Sequence, residues 1–149
     1  LVAAGVDYKT ARLSFQEYFE KLGKDAYKWS KPFLALLGAM KAQKDFDVAA
    51  IGGKDSMSGT FNDISVPPTL ISFAVSPVNV HDVISTEFKK AKNKLYLVEN
   101  KIDEKDFLFN SEELKENFEF VLKNIKDKKI RFLILIFWKW VSRFTARKR

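Results

Sequence analysis

Ten consecutive residues carry most of the chemistry this sequence offers: Ala50-Ile51-Gly52-Gly53-Lys54-Asp55-Ser56-Met57-Ser58-Gly59. Gly52 and Gly53 lack a Cβ, so an anion can approach their backbone N–H groups closely. Lys54 supplies positive charge for a phosphate. Asp55 is a hard oxygen ligand suited to Mg²⁺, although one carboxylate needs further ligands from elsewhere. Ser56 and Ser58 offer hydroxyls that orient a polar substrate. The run is not a P-loop, which requires a glycine five residues before Gly53 and a hydroxyl residue after the lysine; Val48 and Asp55 stand there. No G-x-G-x-x-G is present. A polar turn between two strands is the competing reading of the same residues.

Other chemistries are excluded by composition. There is no cysteine, which removes disulfides, thiolate metal sites and a cysteine nucleophile together and suits a reducing cytoplasm. The single histidine, His81, cannot build a histidine-rich metal centre and reads as an ordinary side chain. The net charge of +7 suggests a nucleic-acid or membrane surface until it is mapped. Residues 131–149 hold Arg131, Lys139, Arg143, Arg147, Lys148 and Arg149 and no acid, and without them residues 1–130 carry only +1.

The elements that must position the ten residues follow from periodicity. Phe15, Tyr18, Phe19 and Leu22 have helical spacing, which predicts a helix over Leu13–Leu22 ending at Gly23. Phe33, Leu36, Leu37 and Met40 repeat it, predicting a second helix that begins near Pro32. Both stripes are expected to pack on a sheet. Val48–Ile51 reads as a short buried strand ending at the two glycines. Thr69–Val75 ("TLISFAV") reads as a strand covered on both faces. Between them, the Pro67–Pro68 pair in Asn62–Pro68 forbids helix and blocks ladder pairing on that side. Ser76–Val83 is a connector, Lys94–Glu99 a further strand, and Ser111–Lys126 a helix. Glu112 and Glu113 at its start and Lys126, Lys128 and Lys129 at its end complement the helix dipole. Leu114, Phe118, Val121, Leu122 and Ile125 form its buried face. The fold class is therefore α/β (α+β), with a boundary near residues 76–92.

The pair "AAIGGKDSMSGTF" and "VPPTLISFAV" resembles the phosphoribosylformylglycinamidine (FGAM) synthase family of purine biosynthesis, in its large single-chain form. "AAGVDYKTARLSFQEYFEKLGKDAYKW" and "KPFLALLGAMKAQ" look like the same region of that family. The resemblance is close over Val2–Val75, looser to Ile130, and stops at Arg131. It implies an internal portion of a PurM-like (AIR synthetase-like) synthetase. Residues 1–80 would then be part of an N-terminal domain and 81–130 the start of a C-terminal one, with 131–149 a basic aromatic tail that is not native. The chain's start at Leu1 is read as a cut edge in the same sense.

The implied activity converts FGAR, glutamine and ATP to FGAM, ADP, phosphate and glutamate, with ATP and Mg²⁺ as cofactors and a cytoplasmic location. By position, Gly52, Gly53 and Lys54 would lie by the nucleotide, Ser56 by FGAR and Asp55 by the metal. Smaller relatives carry a metal-ligating amide at the Lys54 position, so the lysine departs from that pattern and reads as a substitute charge. The resemblance implies no catalytic residue in this chain. The cysteine of the glutaminase would belong to the remainder of the synthase, so the chain alone is expected to be inactive. No nucleic-acid or membrane partner is expected. The alternative is a non-catalytic fragment or binding module whose basic tail meets nucleic acid or an anionic membrane.

Overall fold

A computed structural model describes residues 1–103, 105, 106 and 108–133. It is a mixed α/β arrangement with a three-stranded sheet, a two-stranded hairpin and two long helices. The strands are β1 (Arg12–Tyr18), β2 (Ala50–Ser56), β3 (Thr60–Phe61), β4 (Ile64–Ser65) and β5 (Thr69–Val75). The helices are α1 (Ala26–Phe46) and α2 (Ser111–Lys126). The larger sheet has the order β2-β1-β5, with β1 parallel to β2 and antiparallel to β5. Single 3₁₀ turns occupy Val2–Ala4, Tyr8–Thr10 and Val80–Asp82.

The segment expected to form the first helix is instead the central strand. Helical spacing of Phe15, Tyr18, Phe19 and Leu22 is a local signal, and two flanking ladders override it. Phe19 and Leu22, 1% and 3% exposed, lie beyond the strand's end and are buried there. The long helix begins at Ala26 rather than near Pro32, because Asp25 caps it: its side chain accepts from the Tyr27 N–H at 2.9 Å. Pro32 sits inside α1 and is its one buried residue. Its missing N–H removes one bond of the helical ladder. The helix ends at Asp47, which takes the left-handed conformation (φ 51°) and donates its N–H to the Gln43 carbonyl.

The helices do not cover the sheet as expected. They meet each other through an aromatic cluster: Phe46 of α1 and Phe118 of α2 lie 6.0 Å apart, and Tyr8 sits 5.9 and 5.4 Å from them. Val6, Ala11, Val121, Leu122 and Ile125 are buried as well. The stripe Phe33, Leu36, Leu37 and Met40 is consequently exposed, between 40% and 61%. On β5, Ile71, Phe73 and Val75 are also exposed, so that strand is not covered on both faces.

Helix α2 spans the expected residues. Asn110 caps it by accepting from the N–H groups of Glu112 and Glu113 at 3.0 and 3.2 Å. No strand forms at Lys94–Glu99, which joins neither edge of the sheet and leaves Leu95, Tyr96 and Leu97 exposed. Among the described residues no helix is long and apolar enough to cross a membrane. The expectations for the tail beyond residue 133 lie outside the described residues.

Candidate functional site

The run Gly52–Ser56 is not a loop. It continues the strand that starts at Ala50, and neither Gly52 nor Gly53 takes a positive φ. Gln43 at the end of α1 fixes where the strand begins, its Oε1 accepting from the Ala50 N–H at 2.8 Å. A bulge at Ile51 follows, after which the register runs Ser14 to Gly52, Phe15 to Gly53, Gln16 to Lys54, Glu17 to Asp55 and Tyr18 to Ser56.

This geometry answers what the glycines are for. A Cβ on Gly53 would lie 2.7 Å from the carbonyl oxygen of Phe15, so glycine there permits the close approach of β2 to β1. Gly52 has open space on its side-chain side. The Ser56 carbonyl accepts from the Phe19 N–H at 2.8 Å and so faces β1. By strand alternation the peptide groups of Gly53 and Asp55 face the open edge, with amides about 7 Å apart. They do not converge into an anion cradle. Any anion bound here is held chiefly by side chains.

Alternation also divides the expected site in two. On one face Lys54 donates to the Ser56 hydroxyl at 2.9 Å and lies over the Tyr18 ring, 5.0 Å from its centre. Tyr18 in turn donates its hydroxyl to Gln16 Oε1 at 2.9 Å. The result is an exposed cation beside a hydroxyl and a phenol, on a strand whose outer edge is unpaired among the described residues. Such a set can bind a phosphate or carboxylate and orient a polar group next to it.

Asp55 points to the other face, beside Glu17 on β1. Glu17 is 4% exposed, and its Oε1 has no hydrogen-bond partner among the described residues. Burial pushes its pKa above the ordinary carboxyl value, and the neighbouring Asp55 charge adds to the shift. Lys54 and Ser56 thus belong together, whereas Asp55 belongs with Glu17.

Ser58 and Gly59 lead away from the strand into the β3–β4 hairpin. The Gly59 N–H returns to the Phe19 carbonyl at 2.9 Å, and a Cβ on Gly59 would collide with Val66. His81 is exposed in its 3₁₀ turn.

The fit of Mg²⁺ rests on the donor set. Among the described residues no group of three or more acids or histidines converges. Two carboxylates on adjacent strands are a set that suits Mg²⁺, which takes one or two carboxylates and fills its octahedron with water and phosphate oxygens. Glu17, Gln16 and Tyr18 were not among the expected site residues. The signal lay in "FQEYF": read with a period of two, Phe15, Glu17 and Phe19 share a face, which places an acid among buried neighbours.

No family model matches the chain, and neither does any curated protein or solved structure.

Proposed function

We propose that this chain is part of an ATP-dependent carbon–nitrogen ligase of the FGAM synthase type and forms one wall of its synthetase site. The observation that carries the reading is the Lys54–Ser56 pair, an exposed lysine bonded to a half-buried serine on an edge strand, within the Gly-Gly-Lys-Asp-Ser-Met-Ser run that resembles that family. When bound, ATP with Mg²⁺ would supply the phosphoryl group that activates the glycinamide carbonyl oxygen of FGAR, which leaves as phosphate when ammonia derived from glutamine takes its place. Lys54 offsets phosphate charge, and the Ser56 hydroxyl orients the substrate beside it. Both act by positioning and charge neutralisation, from which phosphoryl transfer draws most of its rate. Asp55, on the opposite face, serves the metal rather than the phosphate that Lys54 meets. A PurM-like fold belongs to the same proposal. It accounts for the exposed apolar stripe of α1 and face of β5 as surfaces that the remainder of a synthase covers.

The test is made in the full-length synthase. Lys54→Ala and Ser56→Ala should each lower FGAM formation at least tenfold, about 1.4 kcal/mol in the barrier, with thermal unfolding unchanged. Wild-type turnover in both variants would sink the assignment.

A further inference from the structure

Glu17 is a buried carboxylate with one oxygen that has no hydrogen-bond partner among the described residues. On the central strand it has one neighbour on each side of the same face. Leu70 of β5 stands opposite it on one side and offers no polar atom. Asp55 of β2 stands opposite it on the other, at the open edge of the sheet. Of the two residues directly opposite Glu17, the polar one is therefore a second acid, and two carboxylates held side by side repel unless something positive joins them. Lys54 does not fill that role, since it lies on the opposite face and bonds Ser56.

We propose that Glu17 and Asp55 together form a divalent-cation site, with Glu17 the inner ligand and Asp55 the ligand at the solvent edge. Two carboxylates leave most of an octahedral shell to water or to phosphate oxygens, which favours Mg²⁺ or Mn²⁺ over a cation that needs a closed protein cage. Residence on an edge strand leaves those outer positions reachable by a phosphorylated ligand. This deepens the ligase reading by naming an acid that the resemblance did not, but the site is tested without turnover.

Mn²⁺ serves as the probe, its binding to the full chain followed by electron paramagnetic resonance without nucleotide. One Mn²⁺ should bind, displaced by Mg²⁺, and Glu17→Gln and Asp55→Asn should each weaken it at least tenfold. Glu119→Gln, an exposed acid paired with Lys9 elsewhere on the surface, should leave it unchanged. Glu17→Asp keeps the charge but withdraws the carboxylate by one methylene, and it should also weaken binding; it decides the matter if Glu17→Gln does not fold. No Mn²⁺ binding to the wild type, or binding indifferent to both Glu17 variants, would overturn the site. Mn²⁺ binding that follows the Glu17–Asp55 pair, together with FGAM formation indifferent to Lys54 and Ser56, would sink the ligase reading and leave the cation site standing.

Discussion

Gly53 packs so closely on the backbone of Phe15 that a Cβ in its place would stand 2.7 Å from the Phe15 carbonyl oxygen. A Cβ on the adjacent glycine, Gly52, would meet nothing within 4 Å. Gly53→Ala must therefore push β2 away from β1, at a cost of about 1–3 kcal/mol typical of overpacking. Gly52→Ala should change stability by no more than about 0.5 kcal/mol. Urea unfolding of the two variants checks this, and equal losses would show that β2 does not pack so closely on β1 at Gly53.

Glu17 and Asp55 yield a stability prediction of their own. Without divalent cations, Glu17→Gln removes a buried charge beside a like charge, and it should stabilise the chain by on the order of 1 kcal/mol at neutral pH. Asp55→Asn should act in the same direction but more weakly, because Asp55 is exposed. Thermal unfolding in the presence of EDTA measures both. A lower Tm for Glu17→Gln would mean that the carboxylate has a partner this arrangement does not provide.

Glu20 sits just beyond β1 and pairs with Lys31 at 2.5 Å and Lys28 at 2.9 Å, both on α1. Hydrogen bonds from Lys31, then Lys28, hold its pKa below the ordinary carboxyl value of 4.5. A depressed folded pKa gives stability that is present in full above the unfolded value and is lost as pH falls through the folded one. Glu20→Gln should thus be less stable than wild type at pH 7, and the difference should shrink to nothing in the acid range below pH 4.5. A pH series of unfolding midpoints for the two proteins reads this directly.

Asn110 closes the N-terminus of α2 with two backbone hydrogen bonds. Asn110→Ala should cost about 1 kcal/mol. Asn110→Asp should restore most of it, because a carboxylate accepts the same N–H groups and favours the positive helix end. Circular dichroism during urea unfolding separates the variants.

The stripe Phe33, Leu36, Leu37 and Met40 on α1 is open to solvent. The chain on its own should bind an apolar dye such as ANS and self-associate with rising concentration. Phe33→Ser with Leu37→Ser should reduce both without lowering the unfolding midpoint by more than about 1 kcal/mol of helix propensity. Fluorescence titration and light scattering test it, and a monomer silent to the dye would show the stripe to be covered.

Signals contained within one segment were legible in the sequence. Helix α2 carries its own cap, its acidic start, its basic end and its apolar spacing, and β5 is a run of β-forming residues between turn residues. The missing cysteine, the single histidine and the confinement of excess charge to residues 131–149 required no structure either. The residue types able to meet phosphate and metal, Lys54, Ser56 and Asp55, were equally plain.

Only the tertiary structure decided how those residues are grouped. The segment around Phe15 satisfies helical spacing, and pairing with β2 and β5, both distant in sequence, makes it a strand. The same pairing draws Gly52–Ser56 into an extended edge strand where a turn was expected. Once extended, its side chains alternate, so Lys54 joins Ser56 over Tyr18 while Asp55 crosses to Glu17. Residue type is a local property that sequence states outright. Register between distant strands depends on which edges meet, and here it determines which charge faces which.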